Sequence, residues 1–345
     1  MTEQISINTP LTAEADSAPA KGAPDPTATI AEMDDGDRVE RAFAVRDRAL
    51  RDFRNKPGNF LQLELGDSSG TIKAICWDDA EACHEIARPG AVVWITGRFE
   101  SSEKYGPSIK VSGIRAAEEG EYTADQLAAS PKRPIEALET DLRALIETIQ
   151  NPDLRELLNR FFGSDQTRWR RFRAAPAAKQ YHEAYPGGLL EHTLSVAQGV
   201  SALAPLSPGI DRDVAVTGGL LHDIGKTEAY DDNPLSPDFT DTGRLESEIP
   251  LGYYMVRREI ERIEGFDPAV AQAVLHIILS HHGSREMGSP VLPLTREATL
   301  VHFVDNLRGR LGSFDRLESR MAEGERWSEY DRALGGAVFF GSRAA

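Results

Sequence analysis

Polar and apolar positions change rhythm along the chain. Between about residues 37 and 117 the period is two, the alternation of half-buried strands, in the runs Arg41–Arg48, Phe60–Leu65, Thr71–Trp77, Ala91–Phe99 and Ser108–Ile114. Asp67-Ser-Ser-Gly70 predicts a hairpin turn between the second and third runs, and Lys104-Tyr-Gly-Pro107 another between the fourth and fifth. Asp78–Arg88, between the third and fourth, reads as a short helix. From residue 135 the apolar spacing becomes i, i+3, i+4. It predicts helices over Ile135–Gln150, Pro152–Phe162, Asp165–Arg173, Gly188–Leu203, Asp211–His222, Glu246–Glu264, Pro268–His282 and Arg296–Leu311. Asp153 and Asp165 stand near helix starts and Gly163 follows a helix end, as capping favours. Glu228–Arg244, with its prolines and aspartates, breaks the pattern and reads as a loop or short hairpin.

Five strands with a helix between the third and fourth is the layout of an OB-fold barrel. The expected architecture is multidomain, a small all-β barrel followed by an all-α domain. Residues 1–36, rich in Ala, Pro, Thr, Asp and Gly without period, read as a disordered tail. Residues 37–117 form the barrel, 118–134 a linker, 135–330 the helical domain and 331–345 a C-terminal tail.

Composition narrows the class. An apolar fraction of 40% over 345 residues is ordinary for a globular protein. Two cysteines, Cys76 and Cys83, argue against a disulfide scaffold and for a reducing compartment. The acidic N-terminus lacks a basic start followed by an apolar stretch, and no apolar run reaches the roughly 18 residues of a spanning helix. The expectation is a soluble, cytoplasmic protein with no membrane partner, compatible with a homo-oligomer.

The net charge of −16 counts at first against a polyanionic partner. Its distribution changes the picture, because arginines crowd Arg41–Lys56, and Arg170, Arg171, Arg173 and Lys179 occur with no acid among them. These stretches are either solvated faces or phosphate-tracking surfaces. OB-fold barrels bind single strands with a basic groove and stacking aromatics. Phe60, Trp77, Phe99 and Tyr105 are available, Tyr105 in its Gly-Pro loop being the best exposed candidate.

The helical half carries the chemistry: His192 in GGLLEHTL, His222 and Asp223 in LLHDIGK, His281 and His282 in LSHHG, and Asp305 in VHFVDNL. Mixed imidazole and carboxylate donors suit divalent transition ions. His192 follows Leu189 by three and precedes Val196 by four, His281 follows Ile277 and Ile278, and Asp305 follows Val301 by four. They therefore lean toward apolar faces. A carboxylate there is costly to bury unless it is paired or coordinates a metal.

The order His…His-Asp…Asp with these flanking residues resembles the HD superfamily of metal-dependent phosphohydrolases, so the helical half is expected to be an all-α HD domain. An OB-like domain followed by GGLLEHTL, LLHDIGK, ILSHHG, SPVLP and HFVDNL resembles, more narrowly, the YhaM family of 3′-to-5′ exoribonucleases over roughly residues 37–315. The resemblance implies exonucleolytic hydrolysis of single-stranded RNA, with DNA as a further substrate, and manganese as the favoured ion. It implies that His192, His222, Asp223 and Asp305 bind a first metal, with Asp223 able to bridge to a second. It places His281 and His282 at that second metal or the phosphate it holds. Lys226 becomes a cation beside the scissile phosphate, and His182 and Tyr185 become substrate contacts. Tyr105 and the basic Arg171 and Arg173 complete the expected substrate-binding set. His276 and His302 match supporting or core positions.

Two departures stand against the family pattern. Glu248, in Ser247-Glu248-Ile249-Pro250-Leu251-Gly252, occupies a place where a histidine ligand is expected. As a carboxylate ligand it would favour harder ions, and it also fits a single-metal site, an altered substrate range or lost activity. Arg308 and Arg310 occupy positions that more often hold an acid and a lysine, and read as phosphate contacts or helix-end caps. A small-nucleotide hydrolase and a binding protein with a decayed metal site therefore stand beside the exonuclease reading.

Overall fold

The computed structural model describes residues 28–341 apart from 54–55, 103–105, 128–130, 132, 164–166, 180–182, 319–320, 322–323 and 333. Alternating side chains close the N-terminal strands into a barrel: β1 (Arg38–Asp52), β2 (Asn59–Asp67), β3 (Gly70–Cys76), β4 (Val92–Ser102) and β5 (Gly106–Ala116). The order around the barrel is β1-β2-β3-β5-β4, closing on β1, and only the β3–β5 pairing is parallel. Phe43, Leu61, Leu63, Leu65, Val93, Ile95 and Ile109 point inward and are fully or almost fully buried. Burying each of these side chains stabilises the fold by about 1.5–3 kcal/mol. α1 (Ala80–Ile86) packs beside β1, β2 and β5. The expected strands are all present; β1, β2 and β5 run longer at both ends, β4 starts one residue later and ends three later, and β3 keeps its length shifted by one residue. Of the expected β4–β5 turn, Lys104 and Tyr105 lie outside the described residues.

The barrel does not begin or end where composition changes. Ile30–Glu32 forms a 3-10 turn whose Ile30 N–H donates to Asp67 Oδ2 at 2.7 Å. The expected linker contains α2 (Ala124–Leu127), whose Leu127 is buried with Ala42 and Ala44. A single leucine in a polar stretch carries no periodic signal, so only packing reveals this turn.

The helical domain comprises α3 (Ile135–Glu147), α4 (Pro152–Phe162), α5 (Thr167–Ala174), α6 (Gly188–Leu203), α7 (Arg212–Leu221), α8 (Lys226–Ala229), α9 (Asp241–Glu246), α10 (Glu248–Ile260), α11 (Pro268–Ser280) and α12 (Arg296–Glu318). Asn151, not Asp153, caps α4, accepting from the N–H groups of Asp153 and Leu154. Asp211 and Asp267 cap α7 and α11. Asp165 lies outside the described residues. α7 is central, packed against α4, α6, α11 and α12.

One predicted helix is divided. Glu246–Glu264 was expected as a unit, but Ser247, at φ +65°, separates α9 from α10. Pro250 falls in the first turn of α10, where its missing N–H has no intrahelical partner to lose. The expected 228–244 break is a compact excursion with Tyr230 bridged to Phe239. It joins the two domains: Leu235 packs against the small cluster of Ala42, Ala44 and Leu127 on the outside of the barrel, and Ser236 Oγ donates to the Arg46 carbonyl at 2.9 Å. The expected C-terminal tail begins inside a short ribbon, in which Trp327 bridges Phe339 and Asp331 bridges Gly336. Among the described residues no helix is long and apolar enough to cross a membrane.

Candidate metal centre

Helix ends bring the histidines into place. His222 is the C-cap of α7 and His281 the C-cap of α11. At such ends the last carbonyls lack intrahelical donors. Each imidazole uses one, His222 Nδ1 lying 2.7 Å from Gly219 O and His281 Nδ1 2.8 Å from Ile278 O. His282 Nδ1 lies 2.9 Å from Met287 O. With Nδ1 donating, Nε2 of all three is left as the metal-binding nitrogen.

Gly225 lets the HDIGK turn sit against α10. A Cβ there would lie 2.0 Å from Glu248 O and 2.5 Å from Gly252 N. The close approach fixes Asp223 at the centre of the cluster. Its Oδ2 lies 3.4 Å from His192 Nε2 and 3.3 Å from His222 Nε2, and its Oδ1 lies 3.5 Å from His281 Nε2. Asp305, from α12, places Oδ1 3.1 Å from His192 Nε2. Two groups of donors result, His192–His222–Asp305 and Asp223–His281–His282, the atoms within each lying within 4.8 Å of one another. Asp223 turns one oxygen toward each.

The donors fit a cation. His222 Nε2, Asp223 Oδ1 and His281 Nε2 are buried without a hydrogen-bond partner, an arrangement that costs about 1–3 kcal/mol per group unless something answers it. Electrostatics agree. Burial opposes charge on His192, yet its contacts with Asp305 and Glu183 overcome that and raise its pKa to about 10. Burial likewise favours neutral Asp223 and Asp305. Lys226 and His222 outweigh it at Asp223, and His192 and His222 at Asp305, holding both carboxyls well below the usual range. The carboxylates thus hold a positive charge on a buried imidazole, the demand a divalent ion would meet. Burial and neighbouring His281 lower the pKa of His282, which favours its neutral, ligating form.

The remaining expected residues distribute as follows. Lys226 donates to Asp223 Oδ2 at 2.6 Å. Glu248 stands outside both donor groups and accepts from Ser247 Oγ at 2.8 Å. Tyr185 donates to Glu191 Oε2 at 2.7 Å. Arg171 pairs with Glu228 at 2.7 Å, and Arg173 pairs with Glu136 and Glu139. His182 lies outside the described residues. His302 Nδ1 lies 2.8 Å from His281 O, and His276 Nε2 accepts from Leu294 N–H at 2.9 Å, so both brace the α11 end. Arg308 neither caps α12 nor stands free; it pairs with Glu183. Glu183 itself escaped the sequence reading, because an acid in the turn before GGLLEHTL carries no periodic or spacing signal.

On the barrel, Phe53, Phe60 and Trp77 form a cluster with ring centroids 4.8–6.0 Å apart, and Lys56 Nζ lies over Phe53 at 4.1 Å. Trp77 is 43% exposed, whereas Phe99 belongs to the barrel core and Tyr105 lies outside the described residues. Arg41, Arg46 and Arg48 serve the fold: Arg41 is buried against Asp67, Arg46 donates to Leu127 O, and Arg48 to His84 O.

Comparison with known proteins matches both units. Residues 189–309 match the HD domain, and residues 44–117 match the OB-fold nucleic acid binding domain. Among solved structures, the second OB-fold domain of replication protein A from Methanococcus maripaludis is 18% identical, with TM-score 0.22, over 27% of this chain and 95% of that one. A replication protein A heterotrimer bound to ssDNA is 19% identical, with TM-score 0.22, over 30% of this chain and 27% of that one. Aspartyl tRNA synthetase from Entamoeba histolytica is 16% identical, with TM-score 0.21, over 50% and 34%. The chain is thus an OB-fold barrel followed by a helical region carrying an HD domain, the scaffold of metal-dependent phosphohydrolases.

Proposed function

From an OB-fold barrel joined to an HD domain, we propose that the protein is a metal-dependent 3′-to-5′ exonuclease of single-stranded RNA, also accepting single-stranded DNA, with manganese as its ion. The observation that carries the reading is the double donor group shared by Asp223, on a chain whose barrel presents an aromatic cluster with Trp77 exposed. The 3′-to-5′ direction rests on the likeness of GGLLEHTL, LLHDIGK, SHHG and SPVLP to the exoribonuclease family.

His192, His222, Asp223 and Asp305 would hold a first ion, and Asp223 with His281 and His282 would hold a second. When bound, the metal supplies Lewis-acid activation of water and stabilises charge on the phosphate. The chain does the rest. Asp223 stays ionised because Lys226 and three imidazoles surround it. Lys226, next to Asp223, places a positive charge where phosphate charge develops. Tyr185 and His182, just ahead of α6, contact the terminal nucleotide. Arg171 and Arg173, with Tyr105, contact the strand when their acidic partners yield to phosphates. Trp77, Phe60 and Phe53 stack bases, each stack contributing about 1–3 kcal/mol. Glu248, outside both donor groups, acts through charge rather than ligation.

Incubation of the manganese-supplemented protein with single-stranded RNA and, separately, with a mononucleotide panel tests the class of substrate. Shortening of RNA with inert mononucleotides supports the proposal. Hydrolysis of mononucleotides with intact RNA replaces it with a small-nucleotide phosphohydrolase.

A further inference from the structure

Three of the four histidines in the donor groups lean on neutral backbone carbonyls through Nδ1. His192 does not. Its Nδ1 lies 3.1 Å from Glu183 Oε2, and both side chains are buried, 3% and 4% exposed. The other Glu183 oxygen is held by Arg308 of α12, the helix that also carries Asp305. Glu183 sits at φ +58°, a left-handed conformation strained for a residue that carries a side chain. The turn that carries it is packed tightly: its carbonyl accepts from Ala177 N–H at 3.0 Å, and a Cβ on Gly188 would lie 2.0 Å from that oxygen. A strained backbone, a glycine that makes room for it and an arginine from a distant helix converge on one carboxylate.

We infer that Glu183 is the positioning residue of the metal centre and that Arg308 is its anchor. The Glu183 carboxylate accepts a hydrogen bond from the Nδ1–H of His192, which fixes the ring and leaves Nε2 as a more basic ligand. Arg308 ties Glu183 to α12, so His192 on α6 and Asp305 on α12 are held in one ionic chain, Asp305–His192–Glu183–Arg308. The unusual arginine three residues after Asp305 and the acid in the turn before GGLLEHTL are thereby one device. The inference rests on the metal-centre reading above but not on the identity of the substrate.

The test is calorimetric titration of the metal-free full-length protein with manganese, alongside its metal-free melting temperature. Glu183→Ala is expected to weaken manganese binding about tenfold to a hundredfold. Glu183→Gln keeps an acceptor but loses the charge and is expected to fall between it and the wild type. Arg308→Ala is expected to weaken binding, and Arg308→Lys to recover most of the loss, a rescue that simple packing would not produce. Wild-type manganese affinity in folded Glu183→Ala, or in Glu183→Gln if the alanine variant does not fold, overturns the inference. If the wild type binds manganese and leaves RNA intact, the exonuclease reading fails while the role of Glu183 is still decided by these titrations.

Discussion

The ammonium of Lys226 lies 2.6 Å from Oδ2 of Asp223, the same oxygen that faces His192 and His222. One turn, with Lys226 three residues after Asp223, thus couples a cation to the carboxylate shared by both donor groups. Burial disfavours charge on Lys226, but Asp223 more than restores it, so the lysine stays protonated. Lys226→Ala is expected to lower kcat by about 10²- to 10³-fold, the usual cost of one lost electrostatic contact to a transition state. Manganese binding persists, since Lys226 is not a donor to the ion. Single-turnover kinetics beside calorimetry check this, and an unchanged kcat contradicts the role.

The barrel aromatics offer a separable prediction. Trp77 is stacked on Phe53 at 6.0 Å and is 43% exposed, so its loss removes binding surface rather than core. Trp77→Ala is expected to cost about 1–3 kcal/mol of affinity for long single strands, roughly fivefold to over a hundredfold. Dinucleotide cleavage is expected to hold at the wild-type rate. Fluorescence anisotropy with a labelled oligonucleotide, read beside dinucleotide turnover, checks both halves.

The donors were legible because burying His192, His281 and Asp305 on apolar helix faces makes sense only with a partner, and that conflict is visible in the spacing. His222 and Asp223 were legible from the HDIGK turn. Arg308 stood out only as an unusual residue after Asp305, and its pairing with Glu183 was not legible, because the two are 125 residues apart and meet only through the fold. The barrel was legible from its period of two. The α9–α10 break was not, because a positive φ at Ser247 leaves no mark in the apolar pattern and Pro250 sits at one of the few helical positions that tolerate it. The arginine-rich stretch of β1 read as an open alternative. Three-dimensional packing commits Arg41, Arg46 and Arg48 to contacts within the protein.

Away from the centre, Glu259 is buried among Arg160, Arg168 and Arg262, with its nearest contact at 2.6 Å. Burial raises its pKa, and the three guanidiniums outweigh this and lower it. A carboxyl lowered on folding contributes stability that is complete above its unfolded value of about 4.3 and is lost as pH falls through the folded value. Glu259→Gln is expected to cost about 2–3 kcal/mol at neutral pH, discounted from a fully buried pair because the arginines are partly exposed. The gap between variant and wild type is expected to close below about pH 4. Urea unfolding at stepped pH values checks it, and a pH-independent gap contradicts the assignment.

Gly225 is held by the approach of α10, whose Glu248 carbonyl lies 2.0 Å from where a Cβ would stand. Backbone cannot yield as a flexible side chain does. Gly225→Ala is expected to lower stability by about 1–3 kcal/mol and to displace Asp223, weakening manganese binding together with it. Thermal melts with and without manganese check this. A variant with wild-type melting temperature and metal affinity would show that the turn is free to shift.

The most direct test of the central claim is a time course of manganese-supplemented protein on single-stranded RNA labelled at its 5′ end, with a copy blocked at the 3′ end and an Asp223→Ala control. A ladder that shortens from the 3′ end, absent from both the blocked strand and the variant, is the predicted result. Intact RNA with manganese bound, or an unchanged ladder in Asp223→Ala, would contradict it.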